Sequence, residues 1–313
     1  MLKIQVPATS ANLGSGFDSL GLALTMYNTV YMEESDRCDI ASLDEISVPT
    51  DQSNLIYDSA RRLYDICGKP FHGLLLRQSN VIPMSRGLGS SSACLVSGLL
   101  GANRLLGDPL EKSELLNLAA ALEGHPDNVA PAILGGLVTS AMEAGRVYSV
   151  SVPVSDNFRF VALIPQRPLP TAHARSVLPD SVSRTDAVYN LSRAALMTAA
   201  LFSGNFENLK IATGDRLHQP YRLGLIQGGE AAFRIARELG AYGVYISGAG
   251  STIMAIIDKD NHTFTADALT RLKLAGIFDW EDALLSVDEV GAAVETVSEI
   301  PQAAAAAPAE NRI

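Results

Sequence analysis

The 313-residue sequence is short of several things, and each shortage removes a class of protein. Its three cysteines, Cys38, Cys67 and Cys94, lie far apart with no CxxC pair. Neither a disulfide framework nor a thiolate zinc site is expected, and a reducing compartment fits. No apolar run reaches the roughly 18–20 residues of a bilayer crossing. The richest stretch, Ala93 to Leu106, is broken by Ser97, Gly98, Asn103 and Arg104. The first residues, MLKIQVPATSANLG, hold no apolar segment of signal-peptide length, so a cytoplasmic protein without membrane contact is expected. Basic residues are also in deficit, with 24 Lys and Arg against 34 Asp and Glu and a net charge of −10. The cations are scattered, whereas a nucleic-acid footprint needs a basic patch or stripe. A small anionic ligand would have to be held locally, by loops and a few cations, against the field of the whole protein.

What is present is enough apolar sequence, 47%, to bury a core, and a length that suits two domains. Lys3–Val6, Thr29–Met32 and Gly73–Gln78 read as strands, and Ile56, Ala60, Leu63 and Cys67 mark one face of a helix over Asn54–Cys67. Leu95, Leu99, Ala102 and Leu106 define another helix, which Gly107-Asp108-Pro109 stops. A helix over Ser113–Leu122 and a strand from Gly135 follow. A boundary is expected near Val154–Asn157, dividing the chain at 155/156. Beyond it come a strand over Phe160–Ile164, an irregular loop set by Pro165, Pro168 and Pro170, a helical face of Ala232, Ile235, Ala236 and Leu239, and the strand Gly243–Ile246. Mixed segments without strict alternation predict an α+β protein of two domains, 1–155 and 156–300. The Ala- and Pro-rich residues 301–313 are expected to be disordered.

The sharpest local signal is PMSRGLGSSSA: Pro83, Met84, Ser85, Arg86, Gly87, Leu88, Gly89, Ser90, Ser91, Ser92 and Ala93. It lies between a strand and a helix. Gly87 and Gly89 permit close backbone approach, and the serines open a helix whose free N–H groups favour an anion. Taken alone, the loop is equally an ordinary Gly-rich turn with a serine cap. It is not a Walker A loop, because no Gly-Lys-Ser/Thr follows, and it lacks the G-x-G-x-x-G dinucleotide spacing.

This segment resembles the ATP-binding signature of the GHMP kinases, Pro-x-x-x-Gly-Leu-Gly-Ser-Ser-x-Ala, at every fixed position. Two further segments are similar to that superfamily's other motifs, in the same order: PATSANLGSGFD from Pro7 to Asp18, and SGAGST from Ser247 to Thr252. EGHPDNVAPA from Glu123, TAHARSVLP from Thr171 and HQPYR from His218 are similar to homoserine kinases in particular. The resemblance spans about Met1 to Asp288. It implies a ribosomal-protein-S5-like N-terminal domain and a ferredoxin-like C-terminal domain, with ATP, Mg²⁺ and L-homoserine between them. A homodimer is compatible with it.

The residues that match those motifs carry the expected roles. Pro83 to Ala93, with Gly248 and Gly250, would hold the ATP phosphates. Asn54 would contact adenine, though an Asn at a helix start also reads as an N-cap. Ser91 and Glu123 would hold Mg²⁺, a hydroxyl and a carboxylate suiting that ion. Only Gly124 separates Glu123 from His125, whereas some homoserine kinases place more residues there. Homoserine is a zwitterion, so Asp18, with Asn12, would take its ammonium, and Arg175 and Arg222 its carboxylate. His125 and Asp127 would line the same pocket and polarise or orient the substrate, His125 with a catalytic role. Asn128 stands where mevalonate and galactose kinases carry an Asp, and an amide has no useful basicity. It would therefore position the hydroxyl, with Asp18 the remaining candidate acceptor of its proton. Alternatives are a GHMP kinase for another small hydroxylated metabolite and an inactive ligand-binding homologue.

Overall fold

The computed structural model describes residues 1–300, so the expected disordered tail lies outside the described residues. The first half runs β1 (Leu2–Ala11), β2 (Leu20–Glu34), β3 (Asp39–Ser42), α1 (Leu55–Ile66), β4 (Leu74–Asn80), α2 (Ser90–Leu105), α3 (Lys112–Glu123), α4 (Pro126–Leu134), β5 (Leu137–Glu143) and β6 (Arg146–Val152). The second half runs β7 (Phe158–Pro165), α5 (Thr171–Ser176), α6 (Arg184–Ser203), α7 (Phe206–Ala212), α8 (Gln219–Arg222), α9 (Gly229–Glu238), β8 (Gly243–Ile246), β9 (Ile253–Asp258), α10 (Phe264–Leu274), β10 (Trp280–Leu285) and β11 (Ala293–Thr296).

Two sheets organise these elements. In the first, the order is β11-β1-β2-β4-β3, with the β5–β6 hairpin joined to the other end of β2. Helices α1 to α4 cover it. β1 is longer than the four residues read as a strand, because a register shift between Pro7 and Ala8 lets it continue through the first motif to Ala11. The second sheet is antiparallel with order β10-β7-β9-β8. With α9 and α10 this is the β-α-β-β-α-β ferredoxin-like arrangement. A second apolar cluster, around Val161, Ile235, Ile253, Ile257 and Phe264, lies under its helices.

Local chemistry explains the element ends that matter. Asn54 caps α1 by accepting from the Ile56 N–H at 3.0 Å. Pro126 opens α4, where its missing N–H costs nothing, and Pro131 lies inside the same helix. Proline at 131 leaves the Asp127 carbonyl without its helical partner, and Gly21 of β2 lies against that carbonyl. A Cβ at Gly21 would collide with it and with the Pro131 ring. After β10 the chain returns to the first sheet. Asp288 N–H donates to the Ala23 carbonyl, Ala292 N–H donates to the Ala132 carbonyl, and residues 293–296 pair with β1. The expected division at 155/156 separates the two sheets, while this last segment crosses back over it.

Candidate active site

The three Gly- and Ser-rich motifs meet at one cleft. The C-terminal end of β1 lies beside the Gly87–Gly89 loop, with Thr9 N–H donating to the Leu88 carbonyl at 3.1 Å. The Ser247 hydroxyl is 2.8 Å from that of Ser10 and donates to the Gly87 carbonyl at 2.6 Å. Gly248 N–H donates to the Ala11 carbonyl, and Thr252 N–H to that of Arg86. Glycine is required here. At Gly87 (φ +77°) a Cβ would run into the Ser247 carbonyl, and at Gly89 (φ +72°) into the Thr9 hydroxyl. Gly89 precedes α2, so the free N–H groups of its first turn open into the cleft lined by Ser90, Ser91 and Ser92.

Not every residue of the loop faces that cleft. Leu88 and Ala93 are fully buried in the core. Arg86, a natural candidate for a phosphate, instead donates to the backbone carbonyls of Met84, Pro165 and Gln166 and ties the loop to the end of β7. Pro83 and Met84 lie on the approach to it, and Met84 lines a second hollow together with Asn54, Gln78, Ser90 and Cys94. Ser85, Ser90 and Ser91 line both spaces, so the two adjoin. The Asn54 amide is already engaged: its nitrogen donates to Pro49 O and Gln78 Oε1, both at 2.9 Å, while its oxygen caps α1. Its structural role is thus the cap, within a wall of the hollow. Gly250 packs towards Ile226, Ile246 and Leu169 rather than the cleft.

The far end of the cleft carries the charged groups. Arg175 of α5 makes a two-pronged pair with Asp18, Nη2 to Oδ1 at 2.7 Å and Nη1 to Oδ2 at 3.0 Å. Asp18 itself is in the left-handed region (φ +55°), as is Asn12 (φ +70°), a conformation Asn and Asp tolerate best. Asn12 holds this loop in shape: its oxygen accepts from Asp18 N–H, and its nitrogen donates to Gly248 O, both at 2.9 Å. Arg222 is 1% exposed and lines the same cleft. Burial first, then the nearby Arg175, lowers its pKa to about 10, which leaves it charged at neutral pH. The Phe17 ring lies under both guanidiniums, 5.6 Å from Arg175 and 5.2 Å from Arg222.

Between the serine loop and the arginines stands the start of α4. Asp127, 2% exposed, accepts from His125 Nδ1 at 2.6 Å and from Asn128 Nδ2 at 3.3 Å. Burial favours the neutral His125 ring, but the hydrogen bond and charge of Asp127 outweigh it and raise the pKa. Asn128 oxygen accepts from the Thr9 hydroxyl at 2.8 Å, which directs the amide nitrogen towards Asp127 and the cleft. Glu123, at the end of α3, accepts from the Ser92 hydroxyl at 3.0 Å. Its other oxygen has no protein partner among the described residues, so a carboxylate and serine hydroxyls border the cleft in a set that suits Mg²⁺. The hydroxyl nearest Glu123 is thus that of Ser92, while Ser91 lines the cleft from the exposed side of the turn.

Sequence reading misses several contributors. Thr9 fixes Asn128, and Thr171 and Ala249 line the cleft. Thr171 stands four residues before Arg175, one helical turn away, which is a spacing that places both on one face. His218 opens the HQPYR segment, but nothing local gives it a role, and Asp215 stands outside every motif.

Comparisons with known proteins bear on the family and the fold. Residues 54–136 match the model of the GHMP kinase N-terminal domain and residues 197–272 that of the GHMP kinase C-terminal domain. A homoserine kinase of Clostridium beijerinckii is 43% identical over 296 residues, covering 94% of this chain and 98% of the relative. One from Desulfitobacterium hafniense is 42% identical, covering 94% and 100%. Among solved structures, homoserine kinase from Cytophaga hutchinsonii superimposes with a TM-score of 0.84 at 28% identity, over 94% of this chain and 97% of that one. Mevalonate kinase of Methanococcus jannaschii, at 14% identity and a TM-score of 0.65, shares the fold. This chain belongs to the GHMP kinases and, within them, to the homoserine kinase family.

Proposed function

We infer that the protein transfers the γ-phosphoryl group of ATP to the side-chain hydroxyl of L-homoserine. The observation that carries this reading is the pairing of an anion and two cations, Asp18 with Arg175 and Arg222, at one end of a cleft whose other end is the Gly/Ser loop at the start of α2. A zwitterion with a free hydroxyl matches the first end, and a polyphosphate matches the second. Neutral sugars match none of these charges, and mevalonate, with a carboxylate but no ammonium, would leave Asp18 without a counterpart.

Each residue then has a chemical task. The loop N–H groups and the serine hydroxyls receive phosphate oxygens, and the hollow beside Asn54 and Gln78 takes the nucleoside base. Asp18 receives the substrate ammonium, and Arg175 and Arg222 its carboxylate. Asn128, held by Thr9, fixes the hydroxyl in line with the γ-phosphorus. The bond from phosphorus to the ADP oxygen breaks, a bond to the substrate oxygen forms, and the hydroxyl proton passes to a phosphoryl oxygen. Both Asp18 oxygens already accept from Arg175, an arrangement suited to holding an ammonium. Glu123 with Ser91 and Ser92 would hold Mg²⁺, which when bound neutralises charge on the phosphate oxygens. Positioning and charge stabilisation supply the rate in such a site.

The free thiols fit a cytoplasmic enzyme, and no helix among the described residues is long and apolar enough to cross a membrane. A homodimer would cover the apolar residues Val188, Leu191 and Phe202 that α6 exposes, which sedimentation would show. Release of ADP across a panel of amino acids and sugars tests the activity itself. Turnover with homoserine is expected, and turnover with mevalonate or galactose but not homoserine would refute the assignment.

A further inference from the structure

We propose that His218 is a positioning residue, which holds the Arg222 guanidinium for the substrate carboxylate through one neutral tautomer that the fold enforces. The proposal rests on the reading of Arg222 as a carboxylate ligand and adds what sets it in place.

His218 is fully buried. Its Nε2 lies 2.8 Å from the Gly14 carbonyl oxygen, and its Nδ1 lies 3.2 Å from Arg222 Nη1. A carbonyl only accepts and a guanidinium only donates, so Nε2 carries the hydrogen and Nδ1 presents a lone pair. No other protonation state satisfies both neighbours. The ring also stacks on Phe17, with centroids 5.2 Å apart and planes 26° from parallel.

Arg222 shows what this achieves. Nε donates to the Ala174 carbonyl at 3.0 Å, and Nη1 donates to Gly248 O and to His218 Nδ1, each at 3.2 Å. Nη2 has no hydrogen-bond partner among the described residues, which leaves it for the cleft that the residue lines. A buried guanidinium has few ways to satisfy its donors, and losing the Nδ1 acceptor would free it to rotate. Asp215 fixes the histidine in turn, accepting from the backbone N–H groups of His218 and Gln219 at 2.9 and 2.6 Å.

The charged groups that face the ring are Arg222 on α8, Asp215 in the turn before it, 3.7 Å from Nε2, and Asp18 in the first loop, with Arg175 across Phe17. Burial, opposed by Asp215 but joined by Arg222, lowers the His218 pKa below its ordinary value. The neutral form therefore persists at neutral pH. Because the folded value is the lower one, the penalty appears as pH falls below the ordinary histidine value of about 6.5.

The test compares His218→Leu, His218→Asn, Arg222→Ala and the His218→Leu/Arg222→Ala double variant by steady-state kinetics. His218→Leu should raise the homoserine KM roughly tenfold or more while kcat holds, since a hydrogen bond to a charged group is lost. His218→Asn should retain most of the affinity, because its side-chain oxygen can accept from Nη1. The histidine change should add nothing on the Arg222→Ala background. An unchanged KM in His218→Leu, or full additivity in the double variant, overturns the positioning role. An unchanged KM in Arg222→Ala overturns the carboxylate reading instead. If His218→Leu does not fold, a long-range ¹H–¹⁵N spectrum of the unaltered protein decides. A bare Nδ1 and protonated Nε2 at neutral pH uphold the proposal, and a protonated Nδ1 ends it.

Discussion

Asp18 and Arg175, 157 positions apart in the chain, hold each other through two parallel hydrogen bonds across the mouth of the substrate end of the cleft. Under the proposed function these same two groups bind opposite ends of a zwitterion. In that reading a bound amino acid offers its ammonium to Asp18 and its carboxylate to Arg175. A ligand with a single charge would leave one partner uncompensated, and so the pair discriminates by charge as well as by contact.

Arg175→Ala should therefore weaken homoserine binding and leave ATP binding unaltered. Loss of one charge-assisted hydrogen bond corresponds to about 1.5–3 kcal/mol, or roughly 10–150-fold in affinity. Calorimetric titration with homoserine measures it, and unchanged affinity would remove Arg175 from the clamp.

Arg222→Ala should behave differently, because Arg222 also donates to the carbonyl of Gly248 in the C-terminal glycine loop. Here the KM values for homoserine and ATP should rise together. A selective effect on homoserine alone would show that the Gly248 contact does not shape the loop.

Glu123→Ala should lower kcat by about 10²–10³-fold, the usual cost of removing one charge-stabilising contact in such a site. The dependence on Mg²⁺ concentration should shift to higher values. Ser92→Ala, which removes the hydroxyl donating to Glu123, should show the same shift to a smaller extent. Near-normal kinetics in Glu123→Ala would exclude it as a metal ligand.

Asn128→Asp should not raise kcat, since a new negative charge would oppose approach of the anionic donor. Asn128→Ala should lose rate through misplacement of the hydroxyl, and Thr9→Val should lose part of it by freeing the amide. The pH–rate profile at saturating homoserine adds a check. An acid-side ionisation lost in Asp18→Asn would establish Asp18 as a base and overturn the base-free route.

Gly21→Ala, at a residue that does not line the cleft, should destabilise the protein by about 1–3 kcal/mol, as overpacking does. Its Cβ would press on the Asp127 carbonyl and the Pro131 ring, displacing the helix that carries Asn128. Urea unfolding gives the first effect, and a lowered kcat in the folded variant gives the second.

The site is more legible in the sequence than the fold around it. Glycines and serines in the phosphate loop are dictated by close approach, so Gly87, Gly89 and Ser90 carry their reason with them. The cap at Asn54 is equally visible, and the structure shows that the cap together with the bonds to Pro49 and Gln78 engages its whole amide. Other features have no local signature. The α4 helix contains two prolines and does not look helical, although one stands at the position that tolerates it. The α6 helix escapes a reading by period, because Val188, Leu191 and Phe202 face outward while Met197 and Leu201 face in. Arg86 reads from its motif as a phosphate ligand, but three backbone carbonyls, two of them from the end of β7, claim it. The role of His218 is invisible locally, since its meaning lies in Gly14 and Arg222.

The pairing of β11 with β1 sets an order of events on the ribosome. Residues 2–5 emerge ahead of the other described elements, and their partners at 293–296 only after nearly all the rest of the described chain. Until then the outer side of β1 is an open row of backbone donors and acceptors, the kind of edge on which nascent chains stick to one another. Pairing with residues 293–296 is what closes that edge, and the same segment then clasps α4 through Ala132. The nascent chain is therefore most exposed to misassembly late in synthesis, and a shortened gene product ending after β10 would keep that hazard permanently.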